Sequence, residues 1–357
     1  MKALLMAGGT GGHVFPALAV AQRLQAAGWQ VHWLGSQGGM EIELVQKNGI
    51  AVSALPVSGL RGAGVRRLLV APLRLLRALG GALAVLRRER PDVVLGFGGF
   101  ASGPGGVAAR LSRVPLVVHE QNAIPGLTNR LLARIASRVL VAFPAAQRVL
   151  AGAELVGNPV RDAIRAIEAP AERLVGRAGA LRILVLGGSL GARALNENVP
   201  AALALVARDT GVDVRHQTGR SDHAQVEAAY RQQELAANVV PFIEDMAEAW
   251  AWADLAICRA GALTVSELAA AGVPAILVPY PHAVDDHQTH NAALLVDAGA
   301  ARLLPQQQLT PASLAAAIGA LGDRAALRAM AGSARQVAPG DAAGRIQSIC
   351  EEVARAG

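Results

Sequence analysis

Short runs rich in β-branched residues alternate along the chain with longer amphipathic stretches rich in Ala and Leu. Such short runs read as strands. The runs predict strands at Lys2–Ala7, Gln30–Gly35, Asp92–Gly96, Pro115–Glu120 and Arg138–Phe143. A second series follows at Arg182–Leu186, Val212–Thr218, Asn238–Phe242, Asp254–Cys258 and Pro274–Pro279. Helical periodicity fills the intervals, as at Pro16–Ala27 and Leu190–Arg208. Strand–helix alternation implies parallel sheets covered by helices, and two series imply two doubly wound α/β domains. The Gly, Asn and Pro of VGNPVR (Val156–Arg161) mark a linker, so the expected domains are residues 1–160 and 161–357.

Composition adds bounds. The 357 residues suit two domains, and 52% hydrophobic content excludes a disordered chain. Aromatics are only 3%, so the cores must be built from Ala, Leu and Val. The formal charge of +7 conceals an asymmetry. Residues 1–160 hold 17 Lys/Arg against 6 Asp/Glu, a net of +11, whereas residues 161–357 hold 17 against 21, a net of −4. A basic half suggests an anionic partner: nucleic acid, a phosphorylated substrate or a membrane surface. The start MKALLMAGG reaches glycine too soon for the apolar core of a signal peptide, and no uncharged apolar stretch is long enough to span a bilayer. Cys258 and Cys350 form no CxxC pattern and read as buried, reduced thiols of a cytoplasmic protein.

The two halves begin alike. The first strand enters GGTGGH (Gly8 to His13), and the strand Arg182–Leu186 enters GGSLGA (Gly187 to Ala192). A third run, GFGGFASGPGG (Gly96–Gly106), also follows a strand. None of this is a Walker loop, and the first two loops lack GxGxxG. Each alone could be a tight strand-to-helix turn. Three at strand C-termini favour phosphate binding by backbone N–H groups and helix ends.

Four further constellations could carry chemistry. His13 sits near a helix start, where a neutral imidazole can serve as general base or simply as a hydrogen-bonded structural group. In ALTVSE (Ala262–Glu267), Thr264-x-x-Glu267 fits a capping box, with a ribose diol as the alternative partner of Glu267. The cluster His282, Asp285, Asp286, His287 and His290 matches no zinc signature and reads as a polar loop, and no Asp-x-Asp triplet occurs to bridge a diphosphate through a metal. The segment Arg61–Arg90 carries eight arginines among leucines and valines, with Glu89 its sole acid. It suits an anionic membrane surface, through residues such as Arg66, Arg67, Leu69, Leu73, Arg74, Leu76 and Arg77. The other readings are a solvated helix packed by its leucines, and nucleic acid, for which neither interleaved aromatics nor a known DNA-binding spacing is present.

Taken in order, the motifs resemble those of the bacterial transferases that add N-acetylglucosamine to lipid I (undecaprenyl-pyrophosphoryl-MurNAc-pentapeptide) to give lipid II. The segments are MAGGTGGHVFPALAVA (Met6–Ala21), SGLRG (Ser58–Gly62), PDVVLGFGGFASGPGG (Pro91–Gly106), HEQNAIPGLTNR (His119–Arg130), VGNPVR (Val156–Arg161), GGSLGAR (Gly187–Arg193), CRAGALTVSELAAAGVPAILVPYP (Cys258–Pro281) and DDHQTHNA (Asp285–Ala292). A nicotinamide dehydrogenase would need a GxGxxG in the first loop. A transferase acting on diacylglycerol would not share GGTGGH, HEQN and SGLRG together, and a non-catalytic membrane binder leaves the glycine turns without a purpose.

The resemblance implies a GT-B fold, two Rossmann-like domains facing a cleft, with the C-terminal helix around Asp341–Ala354 crossing back to the first domain. The first would bind the lipid acceptor at the cytoplasmic face of the inner membrane, and the second would bind UDP-GlcNAc. It implies no cofactor, no bound metal and no nucleic acid, with other cell-wall synthesis proteins as further partners. Thr10, Gly11 and Gly12 would approach the donor sugar and the acceptor pyrophosphate. Asn122 and Arg161 would contact the donor, Ser189 its phosphates, and Ile243 the uracil through its backbone. Ala262, Leu263, Thr264, Val265, Ser266 and Glu267 would surround diphosphate and ribose, with Glu267 on the ribose hydroxyls as well as capping its helix. Gln288 would bind the sugar. His13 would deprotonate the acceptor's 4-hydroxyl, with Glu120 as the alternative base. Leu190 stands where the family usually has Gln, which removes one polar side chain but not the loop's backbone.

Overall fold

The computed structural model describes residues 1–57, 71–188 and 191–356. Two compact units divide the chain: Met1–Val160 with Gly340–Gly357, and Arg161–Pro339. The last segment, numbered with the second domain, belongs to the first unit, the return that the fold resemblance suggests for the C-terminal helix.

The first unit carries an all-parallel sheet of β1 (Lys2–Ala7), β2 (Gln30–Ser36), β3 (Ala51–Leu55), β4 (Val93–Gly98), β5 (Leu116–Glu120), β6 (Arg138–Val141) and β7 (Glu154–Leu155). Its spatial order is β3-β2-β1-β4-β5-β6-β7. Both faces are covered, which explains the unbroken apolar runs. Ala3, Leu5 and Ala7 of β1 join one core with Val14, Leu18 and Leu24, while Leu4 and Met6 join the other with Leu34, Val94 and Leu116. The C-terminal helix Ala342–Ala356 enters the first of these cores through Ile346, Ile349, Cys350 and Val353. That spacing is one helical stripe. An Arg23–Asp341 ion pair reinforces the packing.

The second unit carries β8 (Leu181–Leu186), β9 (Val212–Gln217), β10 (Asn238–Val240), β11 (Leu255–Cys258), β12 (Ala275–Leu277) and β13 (Ala301–Leu303), again all parallel, in the order β10-β9-β8-β11-β12-β13. In both sheets the strand order reverses beside the first strand, between β1 and β4 and between β8 and β11. Ligands of such sheets bind outside the strand C-termini at this switch point.

Three strands escaped the sequence pattern: β3, β7 and β13. All three are sheet edges, short and partly exposed, so no continuous apolar run announces them. The first helix also begins earlier than predicted. It runs Gly11–Ala26, which puts Pro16 inside the helix and His13 in its first turn. The arginine-rich segment forms the helix Ala71–Glu89. Its expected upstream part, with Arg61, Arg66, Arg67 and Leu69, lies outside the described residues, as do SGLRG, Ser189 and Leu190. Cys258 and Cys350 are buried free thiols, and burial pushes the Cys258 thiol up to about 12.

Candidate active site

In the first unit, the two glycine-rich turns that flank the switch point touch each other. A Cβ on Gly99 would fall 2.4 Å from the carbonyl oxygen of Gly8, and Gly99 has φ +88°. Only glycine allows this approach. Thr10 is the N-cap residue of the first helix, and its Oγ1 lies 3.3 Å from His13 Nδ1. The opposite edge of the imidazole abuts Gly98, where a Cβ would lie 3.2 Å from Nε2. The same Cβ would lie 3.6 Å from Asn129 Nδ2. His13 is therefore held between Thr10 and the third glycine run, in the first turn of a helix.

Glu120, the alternative base, is built in differently. It is buried, and both oxygens are engaged. Oε1 accepts from Asn122 N (2.8 Å) and Asn122 Nδ2 (3.3 Å), and Oε2 accepts from Gly126 N (3.0 Å) and Asn129 Nδ2 (2.9 Å). Its visible work is to fold the Asn122–Asn129 loop. The neighbouring His119 is buried with Nε2 2.9 Å from Gly157 O, and burial lowers its imidazole to about 4.

In the second unit, the helix Ala262–Ala271 follows β11 at the switch point. Its N-cap is Gly261, so Thr264 lies within the first turn and the expected capping box does not form. Glu267 sits in the second turn, facing inward. Oε1 takes a hydrogen bond from Arg161 at 3.0 Å and Oε2 one from Trp250 Nε1 at 3.1 Å. Burial pushes its carboxyl above the usual range, opposed by the Arg161 charge and the indole N–H. The reading of Glu267 as a helix cap is thus corrected: the partner of this carboxylate is Arg161, not a backbone N–H. Ser266 donates to Ala262 O (2.9 Å) within the helix.

Beside Arg161 an open cavity of about 330 Å³ is lined by Ala163, Ile164, Glu244, Asp245, Met246 and Ala247. Ile243, directly before this lining, donates its N–H to Gln217 Oε1 at 2.9 Å. Gln288 accepts from Tyr280 N at 2.9 Å through Oε1, which leaves its amide nitrogen to donate. The structure thus brings Arg161 and Glu267 into contact, places Ile243 beside the same cavity, and sets Gln288 in the helix His287–Asp297. Thr10, Gly11, Gly12, His13, Asn122 and Glu120 belong to the other unit. Trp250 and Gln217 were not predicted. Both are polar-tipped residues buried in their unit, and Gln217 ends a strand that also carries Asp213, Arg215 and His216.

The polar stretch His282–His290 runs from a turn at Val284–Asp286 into the helix His287–Asp297. His287 Nδ1 lies 2.8 Å from Val284 O, and Thr289 donates to Asp286. Among the described residues no group of three or more His, Cys, Asp or Glu is arranged to hold a metal ion.

The helix Ala71–Glu89 packs through Ala78, Ala82, Val85 and Leu86. Leu73, Leu75 and Leu76 are 60%, 50% and 64% exposed, so the leucines nearest its start do not pack it. It adjoins the helix Ser102–Leu111, which adjoins Leu127–Leu132. These add exposed Val107, Leu111, Leu127 and Leu131 beside exposed Arg110, Arg130 and Arg134. No helix among the described residues is long and apolar enough to cross a membrane.

Two parallel-sheet units with glycine turns at their switch points are consistent with the GT-B class, and the comparisons with known proteins identify a glycosyltransferase. The Glycosyltransferase family 28 N-terminal domain matches residues 3–141 and the family's C-terminal domain matches residues 182–343. The chain belongs to glycosyltransferase family 28. It is 58% identical over 352 residues to a protein of Aeromonas hydrophila, covering 98% of this chain and 96% of that one. It is 57% identical over 356 residues to one of Alkalilimnicola ehrlichii, covering 99% of each. Both are named UDP-N-acetylglucosamine–N-acetylmuramyl-(pentapeptide) pyrophosphoryl-undecaprenol N-acetylglucosamine transferase. The crystal structure of Acinetobacter baumannii MurG superposes with a TM-score of 0.87 at 43% identity, over 98% of this chain and 99% of that one. The calicheamicin glycosyltransferase CalG4 shares the fold at 19% identity, with a TM-score of 0.69 over 99% of each chain.

Proposed function

We propose that this chain transfers N-acetylglucosamine from UDP-GlcNAc to lipid I, forming lipid II for peptidoglycan synthesis. The observation that carries the donor half is the Glu267 carboxylate, held by Arg161 and Trp250 under the start of a glycine-capped helix at the switch point. A nucleoside diphosphate needs an acceptor for its ribose hydroxyls and N–H donors for its phosphates, and this arrangement supplies both kinds of group. The side chain of Glu267 takes the ribose. The turn Ala262–Thr264, continuing through Val265 and Ser266, takes the diphosphate together with the second glycine turn and Ser189. Ile243 receives the uracil, and Gln288 the sugar.

In the first unit, Thr10, Gly11 and Gly12 offer backbone to the acceptor pyrophosphate, and Asn122 contacts the donor. The reaction is a direct displacement at the anomeric carbon, with inversion. The lipid I 4-hydroxyl attacks and UDP leaves. His13 accepts the hydroxyl proton, a step worth typically 10²–10⁴-fold. Its Nδ1 lies 3.3 Å from Thr10 Oγ1, which holds the ring in the first turn of the helix. Glu120, with both oxygens bound to its own loop, serves as scaffold. Backbone N–H groups stabilise the charge on departing UDP.

The exposed Leu73, Leu76, Arg74 and Arg77, continued by Leu111, Arg130 and Leu131, form the membrane-facing surface. It rests on the anionic cytoplasmic face of the inner membrane, where lipid I and other cell-wall synthesis proteins would be met. Each Arg near such a surface contributes about 1 kcal/mol.

The test is label transfer. The full chain, given UDP-[¹⁴C]GlcNAc and a lipid I analogue, should yield a labelled lipid product. UDP-GalNAc as donor, or diacylglycerol as acceptor, should not. Label on diacylglycerol but not on the lipid I analogue would overturn the reading.

A further inference from the structure

Gln217 is the last residue of β9 and only 4% exposed. Its amide spans two segments of the second unit. Oε1 accepts from Ile243 N at 2.9 Å, and Nε2 donates to Gly188 O at 3.0 Å. The partners, one N–H and one C=O, fix which way the amide points. The backbone around it is wedged between the same segments. Thr218 N donates to Val240 O at 3.0 Å and Gly219 N to Pro241 O at 3.2 Å. On the other side, a Cβ on Gly191 would lie 2.1 Å from Thr218 O. Asn196 Nδ2 donates to that same carbonyl at 3.0 Å, while Asn196 Oδ1 lies 3.2 Å from His216 Nε2. His216 Nδ1 in turn lies 3.0 Å from Tyr230 OH.

We infer that Gln217 is a positioning residue for the donor nucleotide: it ties Gly188, just after β8, to the Ile243 segment and so sets the spacing between diphosphate and base. This rests on the donor reading above, in which those two segments meet opposite ends of UDP. A side chain that only filled space would leave Gly188 O and Ile243 N without these bonds and loosen this side-chain link between the two segments. A ligand that bridges both would then have to order them on binding, whereas a ligand that touches one would not.

The experiment uses the full chain and Gln217→Met, which keeps the length and removes both hydrogen bonds. Titration calorimetry with UDP and with uridine reads the two ends separately. The expected result is about a tenfold loss of UDP affinity, against less than about threefold for uridine, since each lost hydrogen bond carries about that weight. The KM for UDP-GlcNAc should rise by more than kcat falls, and the KM for the lipid acceptor should stay put. Gln217→Glu serves as a second variant. It keeps the acceptor for Ile243 N but turns an oxygen towards Gly188 O, so the UDP-to-uridine affinity ratio should fall there too. A lowered melting temperature with the wild-type UDP-to-uridine ratio in both variants would overturn the inference, leaving Gln217 as packing alone. Failure of the wild-type chain to bind UDP at all would overturn the donor reading with it. An unchanged ratio in a wild type that binds UDP sinks only the role of Gln217.

Discussion

At the scale of single residues, the site depends on groups whose neighbours fix their charge and aim. Glu267 is buried with one cation and one indole N–H. Glu267→Gln keeps the shape and removes the charge, so the KM for UDP-GlcNAc should rise by about ten- to a hundredfold, the weight of a charge-assisted hydrogen bond. An unaltered KM would mean that Glu267 serves only the fold. His13→Ala should lower single-turnover rates at least tenfold with donor affinity nearly intact. An unchanged rate would remove His13 from the base role. Two other histidines make stability pH-dependent. Burial lowers His119 to about 4 and His216 to about 3, from an ordinary 6.5. Both are neutral in the fold, so the unfolded chain binds more protons once pH drops below 6.5. Their contribution is complete above that value and is lost as pH falls towards 4 and then 3. The melting temperature should decline over that window, and His216→Gln should flatten the decline. A flat profile in the wild type would contradict this.

Elements show where the sequence was readable. Central strands such as β1, β4, β8 and β11 announced themselves, because both faces are packed and nearly every position is apolar. The edge strands β3, β7 and β13 did not, because exposure lets polar residues into them. The Thr264-x-x-Glu267 spacing suggested a cap, but helix capping depends on where the chain turns, and Gly261 makes that turn. The pairing of Glu267 with Arg161 joins residues 106 apart in sequence, a relation that no local pattern encodes. Gln217 was hidden for a similar reason, since its importance lies in two partners from distant turns. The basic helix was legible as amphipathic, yet only the structure shows that Leu73, Leu75 and Leu76 are left outside the core. Leu73→Glu with Leu76→Glu should therefore abolish flotation with anionic vesicles and leave the melting temperature within a few degrees. Loss of stability without loss of flotation would assign these leucines to packing instead.

For the whole molecule, the charge asymmetry follows the two units. The basic half holds the exposed Leu73, Leu75 and Leu76 with Arg74 and Arg77, and the mildly acidic half holds Arg161, Glu267 and the rest of the proposed donor site. The donor's phosphates therefore do not require a positive domain, because helix starts and glycine turns present backbone N–H groups whatever the net charge. The C-terminal helix adds a long-range tie, returning the chain to the first core through Ile346, Ile349 and Val353. The helix's apolar stripe alone would fit either core, and it is the resemblance in fold, not local pattern, that suggests the return.

The central claim is an inverting transfer of GlcNAc to one hydroxyl of lipid I, and the structure of the product tests it most directly. NMR of the disaccharide lipid formed from α-linked UDP-GlcNAc and a lipid I analogue should show a single new β-glycosidic bond at the 4-hydroxyl of the muramoyl sugar. An α-linkage, or attachment at any other hydroxyl, would contradict the account.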